Sequence, residues 1–78
     1  MAIPIYGWVQ GDTVIVVVLA REEQTVAELT AQLCRAASVR VAEKGAAYAT
    51  RGGRRLDPDA PLHAVGLRAL ERVDVLFA

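Results

Sequence analysis

Three stretches place this chain in the α+β class, as a mixed sheet of four to five strands with one main helix packed on one face. Thr13 to Leu19 is a run of β-branched and aliphatic residues, the composition of a strand. Val26, Leu29, Leu33 and Ala37 recur at helical spacing just after Thr25. Val73 to Phe77 is a further strand pattern, with Val73, Val75 and Phe77 on one face and Asp74 and Leu76 on the other.

Size and charge narrow the function classes. The 78 residues allow one domain, spanning 1–78, and a domain this small is only marginally stable alone. Hydrophobic residues make up 54% of the chain, which excludes a disordered polypeptide. Lys plus Arg and Asp plus Glu number nine each, so the formal net charge is zero. That balance argues against nucleic acid as a partner, because phosphate neutralisation drives such binding. It also gives little protection against association, which suits a subunit. Cys34 is the only cysteine, so neither an intrachain disulfide nor a thiolate metal cluster is expected. It reads as a small core residue beside Leu33. The N-terminal stretch lacks the pattern of a signal peptide, and the run Val14 to Ala20 is too short to span a bilayer. A cytoplasmic location, with no membrane partner, is the expectation.

Ile3 to Val9 reads as the first strand, with Ile3, Ile5 and Val9 on one face and Tyr6 and Trp8 on the other. Pro4 lacks a ladder donor and belongs at the strand start or against an open edge. Gly7 marks a bulge or a close backbone approach. Gln10-Gly11-Asp12 is a turn signal, so the first two strands form a hairpin. The second strand, Thr13 to Leu19, is apolar on both faces: Val14, Val16 and Val18 on one, Ile15, Val17 and Leu19 on the other. A single helix covers only one triplet, and the pattern leaves open which.

Arg21-Glu22-Glu23-Gln24 is a polar connection. Thr25 and Glu28 have the spacing of a capping box, and the helix is expected to run to about Ala37. Ser38 to Gly45 reads as a loop with Val39 and Val41 tucked inward. Ala46 to Thr50 is a weak third strand. Arg51-Gly52-Gly53-Arg54 is a turn, and Arg54 to Leu56 a short return strand. Asp57-Pro58-Asp59-Ala60-Pro61 is a turn-rich connection. Leu62 to Val65 makes one helical turn closed by Gly66, and Leu67 to Glu71 leads to the last strand. Hairpin, helix, short strand pair and closing strand are the order of a β-grasp, in which the last strand pairs parallel to the first.

No constellation for chemistry emerges. His63, the only histidine, follows Pro61-Leu62 with no nucleophile or carboxylate placed to use it, and reads as a surface or capping residue. The chain has no Glu-x-x-His pair for a carboxylate-bridged metal site. Gly52-Gly53 lacks the flanking pattern of a phosphate loop and reads as a turn. Arg51, Arg54, Arg55 and Lys44 form either a solvated cluster or the match to an acidic partner surface. Trp8 beside Tyr6 has the composition of a contact patch, or else folds over an edge of the domain's own core.

Two resemblances follow from these stretches. Thr25-Val26-Ala27-Glu28-Leu29 and Gly53-Arg54-Arg55-Leu56 lie where ubiquitin-like chains begin their helix and place a short glycine-led strand. The sequence ends Leu76-Phe77-Ala78, without the diglycine tail that conjugation needs. Ile3-Pro4-Ile5, the Val-rich second strand, Val39-Arg40-Val41-Ala42-Glu43-Lys44-Gly45 and Val73-Asp74-Val75-Leu76-Phe77 together resemble the small B (gamma) subunit family of toluene-4-monooxygenase-type four-component alkene and aromatic monooxygenases. That resemblance extends along nearly the whole chain. It departs in the third strand, which here is Ala-rich, and in a shorter tail after Phe77.

The monooxygenase resemblance implies a ubiquitin-like, non-catalytic accessory subunit of a hydroxylase, held with large and medium subunits in a hetero-oligomer. It implies no cofactor in this chain, a di-iron centre in the large subunit, and no direct small-molecule substrate. A free-standing bacterial ubiquitin-like adaptor, for example of a secretion system, is the alternative. The residues expected to meet a partner are Tyr6, Trp8 and the uncovered face of the second strand, with Arg54 and Arg55 at the rim.

Overall fold

A computed structural model describes residues 2–78. Its elements in chain order are β1 (Ala2–Val9), β2 (Val16–Arg21), α1 (Val26–Ala37), β3 (Ala47–Arg51), β4 (Arg54–Arg55) and β5 (Arg72–Phe77). They form one five-stranded mixed sheet in the order β2-β1-β5-β3-β4. β1 pairs antiparallel with β2 and parallel with β5, and β3 pairs antiparallel with β5 and β4. The helix lies across one face, so the architecture is the expected β-grasp.

The register fixes which residues share a face. Ile5 sits opposite Val18, Gly7 opposite Val16 and Val73, and Val9 opposite Val75. Ala49 is opposite Val75. These residues and Ala20 point toward the helix, which meets them with Val26, Leu29, Leu33 and Ala37. Leu62 and Leu67, from the connection between β4 and β5, close the core and are fully or almost fully buried. The helix stripe read from the sequence is therefore the buried one, and Cys34 lies within it. Burial raises the Cys34 thiol pKa, with Glu43 adding to the effect.

Both ends of the helix follow local chemistry. Thr25 Oγ1 accepts from the Glu28 N–H, and the Thr25 N–H donates to the Glu28 carboxylate at 2.9 Å, completing the capping box. The next two orphan donors, on Val26 and Ala27, donate to the carbonyls of Ala60 and Pro58. The turn-rich 57–61 segment thus acts as a second cap. Buried Thr30 satisfies its hydroxyl on the Val26 carbonyl at 2.8 Å.

Gly7 lies directly beneath Leu33 of the helix. A Cβ there would overlap the terminal carbons of Leu33, so Gly7 marks a close backbone approach, one of the two roles open to it. Pro4 is the third residue of β1, on the side where β5 has not yet begun. Its carbonyl accepts from Leu70 N–H at 2.6 Å, and ladder pairing with β5 starts only at Tyr6. The missing proline donor therefore falls outside the ladder. Gly52 and Gly53 both have positive φ, of 59° and 81°, and form the two-residue turn between β3 and β4.

Two expectations are corrected. β2 begins at Val16, not Thr13, because Asp12 bends the chain before it: its Oδ1 accepts from the Thr13 and Val14 N–H groups at 2.7 and 3.2 Å. The strand also runs further, to Arg21. Val39 is not tucked inward but 84% exposed, whereas Val41 packs on the core as expected.

Candidate functional site

The sheet face away from the helix is the feature that needs explaining. Alternation along the strands places Pro4, Tyr6 and Trp8 of β1 on it, with Val17 and Leu19 of β2. Register joins Pro4 to Leu19 and Tyr6 to Val17. Within the strand the open residues are therefore Val17 and Leu19, while Val14 and Ile15 both lie before it and are both exposed. Val17 and Leu19 are 55% and 65% exposed. Together with half-exposed Pro4 and exposed Tyr6 they make an apolar strip at one end of the sheet.

Trp8 belongs to the same face but is held down. Its indole Nε1 donates to the Asp12 carbonyl at 3.0 Å, and the ring is half-buried over the β1–β2 connection. Of the two readings open for Trp8, folding over its own domain's edge describes much of its surface. Its exposed remainder still borders Tyr6 along β1.

The middle of the face is polar and internally matched. Asp74, beside Trp8 in the parallel register, accepts from Arg72 Nε at 2.7 Å. Beyond it, Tyr48 carries the Arg55 guanidinium over its ring at 4.3 Å, a cation–π contact. Arg54 is exposed at the Gly52-Gly53 hairpin and pairs in register with Arg51, which itself reaches Glu71 at 3.8 Å. Strand alternation thus puts Arg55 on the open face and Arg54 at its margin. Tyr6 and the two arginines lie at opposite ends of the face, with the Arg72–Asp74 pair between them.

Two features of this region have no sequence signature. Leu70 takes a left-handed backbone, φ 65°, although it is not glycine, and it is 59% exposed. Its N–H is bonded to Pro4 at the apolar end. A left-handed leucine costs roughly 1–2 kcal/mol, so an exposed one is a strained residue presenting an apolar side chain. The second is the Asp12–Arg40 pair. Arg40 Nε and Nη2 donate to Asp12 Oδ1 and Oδ2 at 2.8 and 3.0 Å, and the Asp12 side chain is almost wholly buried. The Arg40 hydrogen bonds hold the Asp12 carboxyl below the usual aspartate range, and the pairing raises Arg40. Sequence reasoning saw Asp12 only as part of a turn signal.

His63 is exposed, and only its backbone is engaged, with the N–H donating to the Glu22 carbonyl. Among the described residues no group of three or more His, Cys, Asp or Glu side chains is placed to hold a metal ion. An open groove of about 420 Å³ lies between Gln10, Arg40, Val41, Lys44 and Phe77, but its Arg40 is already committed to Asp12. No helix among the described residues is long and apolar enough to cross a membrane.

The fold is ubiquitin-like. Caldiarchaeum subterraneum ubiquitin superposes with a TM-score of 0.79 at 13% identity, over 100% of this chain and 95% of that one. The UBL domain of Plasmodium falciparum Dsk2 superposes with a TM-score of 0.80 at 18% identity, over the whole of both. A chain from the toluene 4-monooxygenase HD complex with the inhibitor 4-bromobenzoate superposes with a TM-score of 0.92 at 18% identity, again over 100% of both. At these identities the likeness is one of fold. No protein-family model matches the sequence, and no curated protein matches it.

Proposed function

We propose that this chain is a cytoplasmic, non-catalytic accessory (gamma) subunit of the hydroxylase component of a bacterial di-iron multicomponent monooxygenase. It docks on the large subunit, which carries the metal centre, in a hetero-oligomer that also contains a medium subunit and acts in aromatic or alkene oxidation. The observation that carries the docking role is the exposed apolar strip of Tyr6, Val17 and Leu19, beside a core already complete without it. The class of partner is drawn from the full-length likeness to a toluene 4-monooxygenase chain at a TM-score of 0.92, together with the sequence resemblance to small monooxygenase subunits.

Tyr6, Val17 and Leu19 supply the apolar centre of the contact, with the free edge of Trp8 beside them. Arg54 and Arg55 meet acidic groups of the partner at the rim. Leu70 fits the same role, since its strained backbone keeps an apolar side chain on the surface. An obligate interface buries about 2,000 Å² or more across both partners. Half of that would be roughly one fifth of this chain's 4704 Å² of accessible surface.

Co-expression with candidate large and medium hydroxylase subunits tests the reading. The expected result is a stable hetero-oligomer, from which Leu19→Asp drops out while remaining folded. Central apolar contacts are commonly worth 2 kcal/mol or more on truncation, so Leu19→Asp and Tyr6→Ala should each weaken binding by more than about tenfold. A cooperatively folded monomer that binds neither subunit overturns the proposal. The ubiquitin and Dsk2 likenesses favour the second reading, a free-standing ubiquitin-like adaptor. Neighbouring secretion ATPase genes in place of monooxygenase and ferredoxin genes would select it.

A further inference from the structure

β2 is an outer strand of the sheet, and such strands template unwanted pairing through their open backbone groups. The register shows which groups these are. Pro4 and Tyr6 turn their backbone toward the β5 side, where they bond Leu70 and Glu71. The β1 groups that bond β2 therefore belong to Ile3, Ile5 and Gly7, opposite Ala20, Val18 and Val16. That leaves Val17, Leu19 and Arg21 with N–H and C=O directed out of the sheet.

Two glutamines occupy much of this edge. Gln32, on α1, donates from Nε2 to the Leu19 carbonyl at 2.8 Å. Gln24 accepts the Arg21 N–H on its Oε1, and its own backbone N–H donates to the Arg21 carbonyl at 3.1 Å. The two side chains are joined, Gln24 Nε2 donating to Gln32 Oε1 at 3.2 Å. A single linked pair thus takes up three of the six outward groups. The N–H and C=O of Val17 and the N–H of Leu19 have no protein partner among the described residues.

We infer that the Gln24–Gln32 pair is a guard on the β2 edge, which stops a second copy of this chain from adding strand to strand beside the apolar strip. Two open residues are too short a ladder to hold another strand, and a pairing that extended further would have to displace both amides. The strip next to the edge is then available through its side chains alone. The inference holds whatever protein covers that strip.

The test is Gln24→Ala/Gln32→Ala in the full chain. Alanine is the better helix former at position 32, and the freed backbone groups face solvent, so the fold is retained. Sedimentation at matched concentrations should show at least a tenfold tighter self-association than in the parent chain. Amide exchange read residue by residue should show the Val17 and Leu19 N–H groups passing from fast exchange to protection as concentration rises. Adding Val17→Pro removes an outward donor while keeping the face apolar, and should restore the parent distribution. Association through the face would survive that change, which separates this test from that of the docking role. If the double variant does not fold, Gln32→Ala alone, which frees the Leu19 carbonyl, must move in the same direction. A folded variant whose association is unchanged, or whose association leaves Val17 and Leu19 in fast exchange, overturns the inference.

Discussion

On the helix side of β2, Val18 and Ala20 are 9% and 0% exposed, while on the other side Val17 and Leu19 are 55% and 65% exposed. The four residues share one strand and nearly one chemistry. What separates them is the number of layers above them: the helix roofs one face of the sheet, and among the described residues the Val17 and Leu19 side stays open. Apolar composition therefore predicts the strand but not its burial. The excess on the open side is left exposed to solvent. Mutations should divide accordingly.

The largest effect is expected beneath the helix. Leu33 is fully buried, and Leu33→Ala should cost about 2–5 kcal/mol through lost burial and the cavity left behind. Chemical denaturation would show a lower midpoint with an unchanged slope. Gly7→Ala comes next, at about 1–3 kcal/mol, since its new methyl would overlap Leu33. The two substitutions should not add. Once Leu33 is shortened, the Gly7→Ala methyl has room, so the double variant should be more stable than the sum predicts. Additive costs would mean that Gly7 is required for some reason other than this approach.

Asp12 sharpens the contrast at the open end of the β1–β2 connection. The Arg40 hydrogen bonds lower its folded-state pKa below the ordinary carboxylate value, so the unfolded chain takes up a proton first as pH falls. Its stabilisation is therefore fully present at neutral pH. It declines below about pH 3.9, the unfolded aspartate value, and is lost once the pH has passed the folded value. Asp12→Asn should be less stable than the parent at pH 7 and should lack this part of the acid decline in thermal melts. Equal acid slopes in the two proteins would remove Asp12 from the account.

Much of this was legible in the sequence because the signals were local. The capping box at Thr25 and Glu28, the stripe of Val26, Leu29, Leu33 and Ala37, and the Gly52-Gly53 turn each act over a few residues. The β2 start was missed because Asp12 side-chain bonds, braced by an arginine 28 residues away, override strand propensity at Thr13 to Ile15. Val39 was misplaced because an isolated valine in a loop carries no periodicity. Trp8 had the right face but an unforeseen bond to the Asp12 carbonyl. The open face was legible as a surplus; which side of the strand bore it depended on the register with β1. The left-handed backbone of Leu70 depends on where the 67–71 connection must meet Pro4, which no local pattern encodes.

The smallest effect on stability should be the most informative one about function. Leu19 lies on the same strand as Val18, yet most of its side chain already meets water. Leu19→Ser should therefore change folding stability by no more than about 0.5 kcal/mol, with the same melting curve within a few degrees. If the strip is a docking centre, the same substitution should weaken capture of the large hydroxylase subunit by about tenfold or more. Val18→Ser should do the reverse, lowering stability through a buried hydroxyl and affecting capture only as far as the folded fraction falls. A Leu19→Ser variant that loses stability as Val18→Ser does would show that its face is covered by the chain itself, and the division between the two sides of β2 would collapse.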